Sequence, residues 1–449
     1  MVELAGREAA ARRGLAAWST YYLLLAVVGT LLAFGAVMVL SASSPTSYAS
    51  TGDSYAVFRR QVVWVVAGLV VMLAASRVDY RRWRRLGAPL LALSVLGLLY
   101  VAVHPSAVSS GGSTRWIPIA RGIAVQPSEL AKLGLLLFAA DVLTRKGRLL
   151  GDVRHLLVPV LPVALLLAVM VMAQPDLGTT LLLCSIAFGL LFIAGAPLPL
   201  LGLMGTVGAL GGFGLIMSAG YRRDRLLSFL DPAADPQRTG WQIIQGRFAL
   251  GSGGLLGVGL GASKQKWSYV PNAHTDFIFA IIGEELGLVG TLAILVLFAA
   301  IAYAGIRAAR RAPDTFGRYL AGGITLWIVV QALVNIGAVV GVLPITGVPL
   351  PLVSAGGSSM LVLLAAVGML LNVARQEVWR RRAPVRATVA LSERHGRRRA
   401  AARAVRTVPH TPDGRLRGPG GLAGAQARRR AGRRPPDSPQ RPPGGLKNR

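Results

Sequence analysis

The chain has 449 residues, of which 53% are hydrophobic and only 15% charged, whereas a soluble domain carries roughly a quarter charged residues. That deficit excludes an ordinary soluble globular protein and points to a lipid-embedded body. The formal net charge of +30 does not imply nucleic acid, and no nucleic-acid partner is expected. The basic residues gather in short loops between apolar runs and in the stretch after Arg375, where membrane topology puts them.

In chain order, residues 1–19 are polar and basic and lead into an apolar run too long for a cleavable signal, so an uncleaved cytoplasmic segment is expected. The pattern predicts an all-α polytopic membrane protein of about ten transmembrane helices, at about 20 apolar residues per crossing. The candidate spans are 21–40, 61–75, 89–104, 130–143, 156–172, 177–193, 198–218, 277–306, 320–343 and 352–372. Arg77, Arg81, Arg82, Arg84 and Arg85 follow the second span, and Arg145, Lys146, Arg148 and Arg154 the fourth. Arg307, Arg310, Arg311 and Arg318 follow the eighth, and an Arg-rich tail follows the tenth. Basic clusters after even-numbered spans put both termini in the cytoplasm. The transmembrane domain is expected over 20–375. The tail, 376–449, is too poor in large apolar residues to fold, and its charge is expected to keep it disordered beside anionic lipids.

The same parity places the longest connection, 219–275, outside the cell between the seventh and eighth spans. Its Arg222, Arg223, Arg225, Arg238, Arg247, Lys264 and Lys266 run against the positive-inside rule, which long loops obey less strictly. An anionic substrate is one reason for such an excess. The glycine-rich stretch from Gly251 to Gly261 lacks the Gly-Lys-Ser/Thr of a nucleotide loop. Cys184, the single cysteine, excludes an intrachain disulfide, and the five histidines have no metal-ligand spacing.

Three places put polar groups where lipid penalises them. In Gln126-Pro127-Ser128-Glu129-Leu130-Ala131-Lys132, Pro127 and Ser128 suit a helix start, and Glu129 and Lys132 share a helical face. Spacing alone fits a structural ion pair as well as a functional one. Asp276 stands where the long loop enters the eighth span, a position that suits a capping carboxylate as well as a catalytic one. Glu284 and Glu285 lie eight and nine residues on, and are expected to make interhelical polar contacts. The turn 343–359, rich in proline, glycine and serine, cannot continue a helix. Non-helical backbone at that depth requires a protein or cavity environment, and its small residues equally suit close helix packing.

These segments carry a resemblance. Gln126–Lys132, Gln174-Pro175-Asp176-Leu177-Gly178-Thr179, 269–287 and 343–359 resemble, in this order, the signatures of the SEDS family (shape, elongation, division and sporulation), over roughly residues 20–375. Lys264 to Asp276 looks most like the division branch. Thr346 to Pro351 looks more like the elongation branch, and Ala355 replaces a tyrosine usual in the Ser-Tyr-Gly-Gly-Ser-Ser motif. The resemblance implies a peptidoglycan glycosyltransferase of the bacterial cytoplasmic membrane, acting at the division septum. It would polymerise lipid II, with undecaprenyl-pyrophosphate-linked glycan as its intermediate. Class B penicillin-binding transpeptidases and divisome proteins are the implied partners.

The family's aspartate carries over to Asp276, and its motif Glu and Lys to Glu129 and Lys132. Joining an α-linked donor to a β-linked product is a single inversion, so one base on the acceptor hydroxyl suffices; Asp276 is the expected base. Glu129 and Lys132 would orient the site, with Lys132 lowering the base's pKa or binding phosphate. Candidates for the pyrophosphate are Arg222, Arg223, Arg225, Arg247, Lys264, Lys266, Arg115 and Arg121, joined by His274 and Ser358 from the matching segments. A divalent cation, Mg2+ or Mn2+, could share that task, although the sequence shows no dedicated cage for one. The alternatives are a lipid II flippase or other transporter, and a non-catalytic scaffold for a transpeptidase.

Overall fold

The computed structural model describes residues 2–376, apart from 105–107, 111–112, 121–122, 219, 235–238 and 268–272, with side chains from Thr20 onward except at 108–110, 113–114, 120, 123, 215, 221–222, 225 and 239. The expected tail, with its anionic-lipid contact, lies outside the described residues beyond Gln376. Each expected span is met by a helix. They are α1 (Val2–Thr51), α2 (Ala56–Arg77), α3 (Gly87–Val103), α4 (Pro127–Arg145), α5 (Leu161–Met172), α6 (Leu177–Ile193) and α7 (Leu198–Met217). Within the long connection lie α8 (Gly220–Leu230) and α9 (Thr239–Ser252), and then come α10 (Ile278–Arg310), α11 (Thr315–Val340) and α12 (Gly357–Gln376). Seven of the spans, counted with the short turns before α3 and α5, are long and apolar enough to cross a membrane. The apolar helices α6 and α7 are shorter, and α4 carries Glu129, Lys132, Asp141 and Arg145.

Between α3 and α4 stands a three-stranded antiparallel sheet of β1 (Val108–Ser110), β2 (Ser113–Ala120) and β3 (Ile123–Val125). The all-helical expectation did not include it. Trp116, Ile117, Ile119, Ile123 and Val125 are residues that pleat well, but the strands are short.

Helix α1 runs about eleven residues beyond its expected end, through Ser41-Ala42-Ser43-Ser44-Pro45-Thr46-Ser47. Hydroxyls explain the continuation. Pro45 has no N–H for the carbonyl of Ser41, and Ser44 Oγ donates to that carbonyl instead at 3.3 Å. Thr46 donates to Ser43 O, and Ser50 and Thr51 to Ser47 O, the local back-bonding open to these residue types.

The core centres on α4, α11 and α12, while α2 and α7 lie at the edge. Glycines set the closest crossings: a Cβ on Gly87 would stand 2.8 Å from Phe138 N, and one on Gly134 3.0 Å from Leu91 N, so α3 and α4 meet backbone to backbone. At α7 the opposite holds. Leu203, Val207, Leu210 and Phe213 are exposed, and its six glycines have nothing within 4 Å of where a Cβ would be.

Helix α10 is not continuous. Gly287 adopts φ 66° and ψ −159° inside it, which breaks the ladder. The glycine-rich segment 253–261 lies in the break and supplies the missing partners. Val258 and Gly259 donate N–H groups to the carbonyls of Glu284 and Glu285, both at 3.0 Å. Leu288 and Val289 donate in turn to the carbonyls of Gly254 and Leu255, at 3.0 and 3.2 Å. A Cβ on Gly257 (φ +82°) would lie 2.2 Å from Glu285 O. The glycines here serve close backbone approach.

Substituting Gly257→Ala therefore combines a left-handed φ with a backbone clash, and is expected to cost at least about 1–3 kcal/mol. Thermal melting in detergent should show a clearly lowered midpoint, whereas Gly208→Ala in α7, which meets nothing, should hold or raise it.

Candidate active site

The four segments singled out in the sequence meet at one end of the bundle, although 268–272 lies outside the described residues. Asp276 sits, half-buried, in the turn just before α10. Asn335, near the end of α11, donates Nδ2 to Asp276 O at 2.8 Å and to Val348 O at 2.7 Å. The irregular segment 341–356 packs against the same turn. Ala355 N donates to His274 O at 3.0 Å, and Ser354 Oγ to Thr275 O at 2.6 Å. Gly347 (φ +71°) faces the carboxylate, since a Cβ there would lie 3.7 Å from Asp276 Oδ2. Gln61 from α2 clamps the segment from behind, donating to Ser354 O and accepting from Gly356 N, both at 3.3 Å. Val348, Leu350, Leu352 and Val353 are buried, which satisfies the demand that non-helical backbone at membrane depth be enclosed by protein.

Around Asp276, three buried side-chain atoms have no hydrogen-bond partner among the described residues: Nδ1 of His274, Oδ1 of Asn335 and Oγ1 of Thr346. Native proteins leave few such atoms, and their grouping marks a polar site. Burial, with Arg60 nearby, holds the His274 imidazole below its ordinary 6.5.

Glu129 and Lys132 form the expected pair, at 2.9 Å, and both are buried. The pair does not touch Asp276. Lys132 reaches Gln331 Oε1 at 3.5 Å and lies 5.0 Å from the Trp327 ring centroid. Gln331 accepts from Trp327 Nε1 at 2.9 Å and donates to Pro349 O at 3.0 Å. The ion pair therefore reaches the Asp276 turn indirectly, through Gln331 and the segment 347–350. A cavity of about 10 Å³ lies beside Glu129, Gln331, Ser354 and Ser359, about the size of one water.

The remaining candidates are dispersed. Arg115, on β2, lies 3.6 Å from Asp176 and donates to Pro175 O at 2.8 Å. Asp176 caps α6 through Thr179 N and Oγ1, at 3.0 and 2.9 Å. Ser358 is buried and accepts from Gln126 N at 3.3 Å, and Gln126 Nε2 reaches Asp176 at 3.4 Å. Arg223, Arg247 and Lys264 are exposed. Arg121 and the side chains of Arg222 and Arg225 lie outside the described residues.

Lys266 is not at the surface. Its Nζ donates to Glu285 at 3.1 Å, to Ser41 Oγ of α1 at 3.2 Å and to Gly261 O at 2.6 Å, and the side chain is 4% exposed. Glu285 also accepts from Ser41 Oγ, at 2.6 Å, an interhelical contact as expected. Glu284 instead turns to the loop, accepting from Ser263 Oγ and from Lys264 N at 2.9 Å.

Sequence reasoning weighted ionisable groups and passed over the amides Gln61, Gln331 and Asn335. Their signal was a primary amide inside an otherwise apolar span, where it must find partners. Among the described residues no three acidic, histidine or cysteine side chains gather.

Two outcomes follow from these contacts. Lys132→Met strands a buried carboxylate and should cost about 3–5 kcal/mol. Adding Glu129→Gln should recover most of the loss in a thermal melt. At His274 the folded state holds fewer protons than the unfolded one, so its contribution is present above the ordinary 6.5 and is lost as pH falls through the folded value. Acidification from about pH 7 to about pH 5 should lower the melting midpoint less in His274→Gln than in the wild type.

Comparison with known proteins places this arrangement. Residues 21–378 match the model of the FtsW/RodA/SpoVE group, described as cell cycle protein. The probable peptidoglycan glycosyltransferase FtsW of Mycobacterium tuberculosis is 41% identical over 359 residues, covering 80% of this chain and 68% of the relative. Stage V sporulation protein E of Bacillus subtilis is 40% identical over 353 residues, covering 79% of this chain and 96% of the relative. Among solved structures, a chain from a peptidoglycan synthase complex that coordinates polymerization and crosslinking aligns with a TM-score of 0.65 at 30% identity, covering 80% of this chain and 98% of that one. RodA of Thermus thermophilus aligns at 0.56 and 27% identity, covering 79% and 96%. The chain belongs to the FtsW/RodA/SpoVE family of polytopic membrane proteins.

Proposed function

We propose that this chain is a peptidoglycan glycosyltransferase that polymerises lipid II, and that Asp276 is its general base. The observation that carries the reading is the Asp276 turn. Its backbone is fixed by Asn335, its neighbours by Ser354 and Ala355, and partnerless polar atoms of His274, Asn335 and Thr346 surround it. A carboxylate so held meets the need of an inverting transfer. The acceptor's C4 hydroxyl gives its proton to the Asp276 carboxylate as its oxygen bonds to the donor's anomeric carbon. The bond from that carbon to the lipid pyrophosphate breaks, and the pyrophosphate leaves.

Glu129 and Lys132 act as positioning residues in this scheme. Their pair fixes Gln331, Gln331 fixes Pro349 O, and the segment 347–350 fixes the face opposite Asp276. Among the described residues, the exposed Arg223, Arg247 and Lys264 and the β2 residue Arg115 are donors for the departing pyrophosphate. Lys266 and Lys132 are already engaged with buried partners. The site faces the extracytoplasmic side and both termini the cytoplasm, supported by basic clusters at the opposite helix ends. The similarity to FtsW proteins supports work at the division septum with divisome proteins. The likeness to a synthase complex joining polymerization to crosslinking supports a class B penicillin-binding transpeptidase as partner.

Asp276→Asn should remain folded and membrane-inserted and lose about 10²–10⁴-fold in polymerisation. The assay is glycan-chain formation from lipid II in detergent by the purified chain with its transpeptidase partner. Full activity in that variant would remove Asp276 from the mechanism. Chains formed without a membrane to cross exclude a pure flippase.

A further inference from the structure

At the opposite end of the bundle from Asp276, a cavity of about 550 Å³ opens between the turn before α3, the end of α4 and the start of α11. Arg81, Arg84, Arg85, Thr144, Arg145, Asp314 and Phe316 line it. Asp314 starts α11 and Asn335 stands 21 residues further along it, so the two sites are roughly 30 Å apart along the helix. This cavity plays no part in the proposed transfer.

The guanidiniums of Arg81, Arg84 and Arg145 are fixed before any ligand arrives. Tyr80 and Phe316 stack at 6.2 Å; Arg81 lies 5.3 Å from the first ring centroid and Arg84 5.8 Å from the second, distances at which a ring face attracts a cation. Arg81 Nε donates to Asp314 at 3.0 Å, and its Nη1 lies 3.7 Å from Asp79. Arg84 Nε pairs with the buried Asp141, which also takes Arg145 through Nε and Nη2. Burial alone would push the Asp314 carboxyl up. The Gly317 N–H, Arg81 and Tyr80 outweigh it and hold that carboxyl below its ordinary value, so it stays charged and keeps its grip on Arg81. Asn372 of α12 anchors the turn, accepting from Tyr80 N at 3.0 Å and donating to Ser76 O at 2.7 Å.

The carboxylates hold the arginines by their inner edges. Nη2 of Arg81, both Nη atoms of Arg84, Nη1 of Arg145 and all of Arg85 make no hydrogen bond among the described residues. Four guanidiniums face three carboxylates, Asp79, Asp141 and Asp314. A tendency toward basic loops on one side of the membrane scatters charge along the surface. It does not by itself gather forks from two separate chain segments around one cavity and brace them on acids and rings.

We propose that this arginine cradle binds a phosphate group. Planar guanidinium forks match phosphate oxygens, and a basic pocket between transmembrane helices at the membrane surface suits an anionic phospholipid headgroup. Exposed apolar residues run from the cradle along α3, with Leu86 just before it and Leu93, Leu96 and Leu99 within it, 46–64% exposed. They offer acyl chains a surface. A soluble phosphate compound carries the same recognised group.

The test uses the full-length chain in detergent, titrated with phosphatidylglycerol or phosphatidylcholine, with bound lipid counted by native mass spectrometry. In parallel, melting is followed in inorganic phosphate against chloride at matched ionic strength. The variants are Arg85→Gln alone, Arg85→Gln with Arg145→Gln, and the control Arg148→Gln, an exposed arginine that does not line the cavity. Asp141 keeps Arg84 in all of them, and Arg85→Gln disturbs no ion pair, so at least one variant folds. Retention of phosphatidylglycerol over phosphatidylcholine, reduced about tenfold in Arg85→Gln and more in the double variant but not in the control, supports a lipid headgroup. Stabilisation by inorganic phosphate, lost in the same variants without any lipid preference, supports a soluble phosphate compound. No preference of either kind, or equal loss in the control, overturns the proposal.

Discussion

Every backbone N–H and C=O removed from a helix inside a membrane body must find a partner in the protein itself, because lipid offers none. Two departures from the helix at the end that carries Asp276 are each satisfied by another stretch of the chain. The break at Gly287 is filled by 253–261, whose donors and acceptors match the freed groups on both sides. The segment 341–356 is held by Gln61, Asn335, Gln331 and the carbonyls of His274 and Thr275. The position of Asp276 follows, because its turn lies between these two irregular pieces and is bonded to the second of them.

Buried charge obeys a parallel constraint. Isolated ions at such depth cost several kcal/mol; three pairs at this end, Glu129 with Lys132, Lys266 with Glu285, and Asp176 with Arg115, meet it with opposite charge, and buried Glu284 meets it with hydrogen bonds from Ser263 Oγ and Lys264 N. Each pair ties separate parts of the fold together. Lys266 and Glu285 meet with Ser41, which joins α1 to the glycine-rich segment and to the short first part of α10. A lysine in a basic loop is thus a structural tie, while its exposed neighbour Lys264 remains at the surface.

The spans were legible because twenty-residue apolar runs have few other meanings, and each met a helix. What the sequence hid is physically specific. The polar end of α1 reads as a loop by composition, since only hydroxyl back-bonding around Pro45 keeps it helical. The glycine-rich stretch reads as a flexible loop, because nothing local shows that another helix breaks beside it. Asp276, Glu129 and Lys132 stood out as charges at helix starts, and the last two did form a pair. Their separation from Asp276 was not legible, because Gln331 and the 347–350 backbone that lie between come from distant parts of the chain.

The edge helix α7 shows what happens where packing is absent. Its six glycines forgo helix propensity, at roughly 1 kcal/mol each relative to alanine in water, and no neighbouring atom approaches their Cβ positions. Few contacts with the rest of the described chain therefore constrain its shape, and a hydrophobic stretch held this way answers thickness mismatch by tilting or bending at small cost. A thinner or thicker bilayer would deform α7 well before it disturbed the glycine-locked crossings of α3 with α4.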